Sequence, residues 1–157
     1  VAVASPARAP GTGYQRFNRT AGSMAKDAAF NAAAVVRRMT GKELSDYDVN
    51  INFIGGGNID GPSAGCAITT ALISAITGTP VRQDMALTGE ISIQGQVKPV
   101  GGVFEKAYGA RQAGMKGIII PEENAHDIPE RHLGLHIHYA VTIDDVLKLM
   151  LVKQGES

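Results

Sequence analysis

The sequence predicts a single domain of the α/β class, and two observations support this expectation. The chain has 157 residues, which suits one domain on a prior of roughly 100–200 residues per domain. Segments with the helical period of apolar residues are interspersed with short strand-like segments, two of which form a hairpin. The hydrophobic fraction of 44% is normal for a globular protein, so we expect these elements to share a core.

The first third of the chain predicts short strands around one long helix. Strands are expected at residues 1–4, 14–18 and 49–53. The helix is expected over residues 23–39, because apolar residues recur there at helical spacing, and Gly41 should end it. Residues 1–4 also resemble a strand cut from a longer chain, so we expect this sequence to be a fragment of a larger protein.

The remaining elements follow two glycine-rich loops. A second helix should run from Pro62 to about Ile76, because proline suits the first helical position. Thr142 and Asp145 form a capping-box pattern that should open the last helix. Between these helices we expect strands at 85–93 and 96–98, a helix at 103–112, a buried strand at 118–120 and a last strand at 135–139.

Composition and charge argue against several classes of partner. Acidic and basic residues balance at 15 each, so no basic excess suggests nucleic acid. No apolar run approaches the roughly 20 residues that span a bilayer, so no membrane partner is expected. The single cysteine, Cys66, allows no intrachain disulfide, and a reducing cytoplasmic location is the default expectation.

The first candidate for chemistry is the serine of Gly61-Pro62-Ser63-Ala64-Gly65. Ser63 lies where a loop becomes a helix, and a helix N-terminus offers unpaired N–H groups and a partial positive charge. Such donors can hold the negative oxygen that develops when a hydroxyl attacks a carbonyl. A helix cap is the structural alternative for Ser63.

Two other interpretations of this loop stay open at this point. A phosphate-binding loop requires a lysine where Pro62 stands, which disfavours nucleotide binding. The nucleophile elbow of an α/β-hydrolase fits Gly61-x-Ser63-x-Gly65, but seven loop residues separate the serine from the preceding strand. That hydrolase also needs a later histidine, and four are available: His126, His132, His136 and His138.

The second candidate is a lysine that can act as a base. Gly102, Lys106, Gly109 and Ala113 form one stripe along the helix expected at about 103–112 and the residues that flank it, and small residues there predict close packing of another element. A lysine driven into a poorly solvated place has a lowered pKa. When neutral, it can take the proton of a serine hydroxyl. A side chain that extends to solvent is the alternative.

Four ordered blocks of the chain resemble the proteolytic domain of Lon proteases over about residues 22–124. The blocks are Asp60-Gly61-Pro62-Ser63-Ala64-Gly65; Met85-Ala86-Leu87-Thr88-Gly89-Glu90-Ile91 with Gly95-Gln96-Val97; Pro99-Val100-Gly101-Gly102-Val103 with Glu105-Lys106; and Ala113-Gly114 with Ile118-Ile119-Ile120-Pro121-Glu122-Glu123-Asn124. The glycine-rich loop at 54–59 is similar to that of the B-like bacterial branch of the family.

The resemblance implies a serine endopeptidase with a Ser–Lys dyad, in which Ser63 is the nucleophile and Lys106 the base. Thr88 lies in a block that is near the dyad in the family, and is a possible hydrogen-bond partner of Lys106. The implied fold is that of ribosomal protein S5 domain 2. No metal or organic cofactor is implied for this domain.

The resemblance also implies partners. Family members form homo-hexameric rings and usually carry an upstream AAA+ ATPase module, which unfolds polypeptide substrates; ATP and Mg²⁺ belong to that module, which these residues lack. Some Lon-like domains in DNA-repair and chelatase-related proteins have lost the dyad and serve as assembly modules, which is the non-catalytic alternative.

Three further residue types are assigned structural roles. Cys66 is expected to be a small buried filler rather than a nucleophile. His132, His136 and His138 lack a further ligand of fitting spacing, so no metal site is expected. Glu122 and Glu123 are expected in a solvated turn.

Overall fold

Helices are interspersed with short strands in the part of the chain that the computed structural model describes, residues 2–17, 22–51, 61–128 and 134–152. The helices are α1 Ser23–Thr40, α2 Gly65–Thr77, α3 Val103–Gln112 and α4 Ile143–Met150. The strands are β1 Ala2–Pro6, β2 Gln15–Phe17, β3 Tyr47–Ile51, β4 Met85–Leu87, β5 Glu90–Ile91, β6 Val97–Lys98, β7 Gly117–Pro121 and β8 His136–Ala140.

The described strands form three small sheets. In the first, β3 pairs antiparallel with β1 and parallel with β2. In the second, β7 lies between β4 and β8, and all three strands are parallel. The third is the antiparallel hairpin of β5 and β6. This mixture of parallel strands, a hairpin and helices confirms the α/β class.

Most predicted elements are confirmed to within a few residues. α1 ends at Gly41, whose φ of 71° is the left-handed conformation that glycine adopts readily. α3 occupies residues 103–112 as predicted. The capping box of α4 is present, since both the Thr142 and the Asp145 side chains make their reciprocal bonds to the backbone.

The strand predicted at 85–93 is wrong as a single element. It is split into β4, which pairs with β7, and β5, which pairs with β6. The break lies at Thr88 and Gly89, because the backbone N–H and C=O of Gly89 bond to the segment around Ser63 instead of to a strand. Local hydrophobicity does not reveal this long-range contact.

Three apolar clusters hold the helices against the sheets. The first joins α1 and α2 to the sheet of β1 and β3. The other two lie on opposite faces of β7. Ile118 and Ile120 pack with α3, whereas Ile119 packs in a cluster with residues of α4 and the β5–β6 hairpin. α3 is therefore fixed on the face of β7 opposite to α4.

The close packing predicted along the small-residue stripe of α3 is wrong. Gly102 and Ala113 are exposed, and a Cβ added to Gly109 meets no atom within 4 Å. The buried face of α3 consists instead of Val103, Ala107 and Ala110. Lys106 lies at the margin of this face. None of the helices described here combines the length and hydropathy needed to cross a bilayer.

Candidate active site

Ser63 lies in a 3₁₀ turn, Pro62–Ala64, that runs directly into α2. The turn is tied to the break between β4 and β5 by two backbone hydrogen bonds. The N–H of Gly89 donates to the carbonyl of Ser63 at 3.0 Å, and the N–H of Cys66 donates to the carbonyl of Gly89 at 3.0 Å. Both polar groups of one glycine backbone therefore fix the position of the serine turn.

A close approach of backbones at Gly65 explains why the residue after this turn is glycine. A Cβ at Gly65 would lie 2.8 Å from Cγ2 and 2.9 Å from the backbone nitrogen of Ile91. A Cβ atom essentially never lies this close to a neighbouring atom, so any side chain there has to displace β5. Glycine thus lets the start of α2 lie against the strand that follows Gly89.

Lys106 lies in the first turns of α3, where its backbone N–H donates to the carbonyl of Gly102 at 3.0 Å. Its side chain is half-buried, and the ammonium Nζ donates a hydrogen bond to Thr88 Oγ1 at 3.2 Å. Burial lowers the pKa of Lys106 from its ordinary value, because the charged form loses hydration. The hydrogen bond to Thr88 keeps the amine oriented at the end of β4.

Ser63, Thr88 and Lys106 line the same cavity, which has a volume of about 380 Å³. The other described lining residues are apolar, and most are alanines. Because few polar groups line the cavity, the Lys106 ammonium loses hydration there. Among the described residues, the hydrogen bonds of Lys106 include the one to Thr88 and none to the hydroxyl of Ser63.

The role of Gly89 was not foreseen from the sequence. Thr88 and Gly89 directly follow β4, at the carboxyl end of a parallel strand, where α/β sheets commonly place their ligands. The Thr88 side chain contacts Lys106, and the Gly89 backbone contacts the Ser63 turn. This dipeptide therefore connects the two elements that carry the candidate residues.

The other sequence candidates lie elsewhere. Cys66 is fully buried, and its burial raises the pKa of the thiol to about 12, which confirms its assignment as a filler. His126 is exposed beside Asp127, and His136 and His138 lie on β8 with ring centroids 6.4 Å apart. None of these three described histidines lines the cavity of Ser63. His132, Asp60 and the loop at 54–59 lie outside the described residues.

Comparison with known proteins identifies the family. The family model described as the Lon protease (S16) C-terminal proteolytic domain matches residues 6–153. The Archaeal Lon protease of Thermoplasma volcanium is 42% identical over an alignment of 160 positions, which covers 99% of this chain and 24% of the relative. Lon protease 2 of Bacillus subtilis is 47% identical over 130 residues, 83% of this chain and 23% of the relative.

Lon protease 1 of Thermus thermophilus is 43% identical over an alignment of 153 positions, which covers 90% of this chain and 19% of the relative. The chain thus spans about a quarter or less of the length of these curated relatives. The match to the family model covers nearly the whole chain, and the similarity to these relatives extends over most of it. The chain belongs to the Lon protease family, in the proteolytic domain, which makes it a member of a peptidase family.

Proposed function

We propose that this domain is a serine endopeptidase that hydrolyses unfolded polypeptides with a dyad of Ser63 and Lys106. The observation that carries the proposal is the shared apolar cavity, in which a desolvated lysine is held by Thr88 beside the turn of Ser63. A lysine whose pKa is lowered by burial is neutral in a larger fraction of molecules near neutral pH, as a general base requires.

In the first half of the reaction, Ser63 Oγ attacks the carbonyl carbon of the scissile bond while Lys106 Nζ accepts the hydroxyl proton. A neutral amine that donates one N–H to Thr88 has its lone pair available for that proton. The tetrahedral intermediate then collapses, and Lys106 returns the proton to the departing amine. The product of this half is an ester between the substrate acyl group and Ser63.

In the second half, a water molecule attacks the ester and Lys106 accepts one of its protons. Collapse of the second intermediate breaks the ester, releases the carboxylic acid product and returns the proton to Ser63 Oγ. No redox step or group transfer to a cofactor enters this sequence. The Ser63–Lys106 hydrogen bond that starts the first half is expected to form when substrate fills the cavity, since catalytic contacts often tighten only in the complex.

The oxyanion donors belong near Ser63 at the N-terminal end of α2. Two backbone N–H groups after Ser63 already have partners, because that of Gly65 donates to Pro62 and that of Cys66 to Gly89. We therefore assign the oxyanion to backbone N–H groups at or before Ala64. The positive end of the α2 dipole supports negative charge at the same place.

The proposal also covers the fold type, the parent chain, the oligomeric state and the location of the protein. We infer a fold of the ribosomal protein S5 domain 2 type, an AAA+ ATPase module in the same parent chain, a homo-hexameric ring and a cytoplasmic location. The share of the relatives' length that the chain spans, about a quarter, leaves room for such a module. Because Pro62 stands where a phosphate-binding loop needs its lysine, ATP is assigned to that module and not to this domain.

The test is the rate of cleavage of an unfolded protein and of a short fluorogenic peptide by the natural full-length protein. Ser63→Ala and Lys106→Met should each abolish cleavage of both substrates while leaving the fold intact. Lys148→Met is the matched control, because Lys148 is an exposed lysine on α4. It should retain the wild-type rate.

Other outcomes point to the alternatives. Full activity in Lys106→Met rejects the dyad. Loss of activity in a variant of His126, His132, His136 or His138, with Lys106→Met active, supports the Ser–His hydrolase. No cleavage by the assembled wild-type protein supports the non-catalytic assembly module.

A further inference from the structure

A buried carboxamide connects the strand β7 to the loop that opens α3. Asn124 lies in the 3₁₀ helix Glu122–Asp127, directly after β7, and is 4% exposed. The hydroxyls of the buried residues Thr69 and Thr70 bond to carbonyls of their own helix. Asn124 instead reaches across to a segment that is 24 residues away in the chain. Its polar atoms therefore define the position of one segment relative to another.

The contact is two-sided, like that between neighbouring strands. The backbone N–H of Val100 donates to Asn124 Oδ1 at 2.9 Å, and Asn124 Nδ2 donates to the carbonyl of Val100 at 2.9 Å. Nδ2 also donates to Asp127 Oδ2 at 2.8 Å. Because a buried polar group without a partner is costly, this geometry is strongly preferred over any arrangement in which the loop moves away.

The loop held in this way leads directly to Lys106. Val100 is followed by Gly101 and Gly102, which are both exposed, and a Cβ on Gly101 meets no atom within 4 Å. Gly102 has a φ of +68°, and its carbonyl accepts the backbone N–H of Lys106. Among the described residues, the side-chain hydrogen bonds to this loop all come from Asn124.

We propose that Asn124 is a positioning residue for the reaction: it clamps the loop at Val100 and so sets where the first turn of α3 holds Lys106 in the cavity. The inference rests on the proposed function, in which Lys106 is the base. Beyond this first turn, α3 is held independently, by Ala107 and Ala110 against β7. Loss of the clamp should therefore displace the first turn while the helix and fold remain.

The expected effect is on kcat rather than on KM. A displacement of a catalytic group by about 1 Å can lower the rate about 100-fold without loss of substrate binding. Asn124→Asp keeps the shape of the side chain and the acceptor for Val100, but it removes the donor and faces Asp127 with a like charge. We expect kcat for a short peptide to fall about tenfold or more, with KM within about twofold of wild type. The ascending limb of the pH–rate profile, on which Lys106 loses its proton, should also shift, because the surroundings of Lys106 change.

Two further variants keep the test decisive in the full-length protein. Asp127→Ala removes the third contact of Asn124 at an exposed position, and should lower kcat by a smaller factor of about twofold to fivefold. Leu135→Ala is the stability control, because Leu135 is buried in the cluster that holds α3 and makes no bond to the loop. Its kcat, measured well below its thermal midpoint, should equal that of the wild type with an unchanged pH profile.

Each outcome has a definite meaning when Lys106→Met is measured alongside. If Lys106→Met is inactive and Asn124→Asp retains the wild-type kcat and pH profile, the clamp is wrong and the dyad stands. If Asn124→Asp does not fold, a wild-type kcat in Asp127→Ala overturns the clamp. If Leu135→Ala and Asn124→Asp lose kcat equally, Asn124 acts only through the stability of the fold and not by positioning Lys106. Activity in Lys106→Met removes the dyad itself, whatever Asn124 does.

Discussion

The Ser63 turn is fixed through its backbone, whereas Lys106 reaches the same cavity from the side of α3 on a flexible stem. The turn is bonded on both sides to the backbone of Gly89, and Gly65 packs directly on β5. Lys106 depends instead on side chains, since Thr88 accepts its hydrogen bond and Asn124 holds the loop before α3. The serine should therefore be sensitive to added volume nearby, and the lysine to the removal of polar partners.

The largest effect should come from a change at Lys106 that preserves charge but removes basicity. Lys106→Arg keeps a long cationic side chain, but a guanidinium cannot be deprotonated in a protein. We expect kcat/KM to fall about 10²–10⁴-fold, the usual contribution of a general base. The exposed-site control Lys148→Arg should cleave at the wild-type rate. Substantial activity in Lys106→Arg contradicts a role for Lys106 as a base.

The dependence of the serine turn on close packing is tested by a pair of glycine variants. Gly65→Ala forces a Cβ against the backbone of Ile91, and should lower the free energy of unfolding by about 1–3 kcal/mol and reduce kcat. Gly109→Ala adds the same group to α3 in open space, where it should stabilise the helix by about 0.5–1 kcal/mol.

Denaturant unfolding and peptide cleavage check both glycine variants. Equal stability and activity in the two would mean that the contact between Gly65 and Ile91 does not constrain the turn.

Removal of the Lys106 partner should have a moderate effect. Thr88→Val replaces the acceptor hydroxyl by a methyl group of similar size, so we expect kcat to fall about tenfold through misorientation of the amine. Loss of a hydrogen bond to the ammonium should lower the pKa of Lys106 further, so the ascending limb of the pH–rate profile moves to lower pH.

Thr70→Val is the matched control, because its buried hydroxyl bonds to Cys66 within α2 and does not contact Lys106. A pH–rate profile of Thr88→Val that moves to higher pH would contradict the assigned hydrogen bond.

The smallest effect should come from the cap of α4, outside both regions. Asp145 accepts the backbone N–H groups of Val141 and Thr142, which hold the pKa of its carboxyl below the ordinary value. Asp145→Ala should cost about 0.5–2 kcal/mol of stability at neutral pH, with unchanged kcat.

Because the folded-state pKa of Asp145 is lowered, its stabilisation is present above the ordinary pKa of an aspartate and is lost as pH falls through the folded value. The stability difference between Asp145→Ala and wild type, followed by thermal unfolding, should therefore shrink in acid. A difference that grows in acid would contradict this cap.

Features set by neighbouring residues were predicted from the sequence, whereas features set by distant contacts were not. The bounds of α3 and the capping box at Thr142 follow from local period and cap residues. The break at Gly89 depends on hydrogen bonds to a turn more than 20 residues earlier in the chain. The small residues of α3 suggested tight packing, yet Gly109 faces open space.

Part of the candidate site could also be predicted from the sequence. The resemblance to Lon proteases named Ser63, Lys106 and Thr88, and these three side chains line one cavity. The roles proposed for Gly89 and Asn124 could not be predicted from the sequence, because each residue acts through hydrogen bonds to a backbone segment that is remote in the chain.

The most direct measurement is the pH dependence of the rate at which a fluorophosphonate modifies Ser63 in the wild type and in Lys106→Met. The reaction needs no peptide recognition and reports how readily the hydroxyl loses its proton. The account predicts that the wild-type rate rises with pH through one ionisation, with a pKa below the ordinary range of a lysine, and that Lys106→Met reacts slowly without this ionisation. The same rate and pH dependence in both proteins would contradict it.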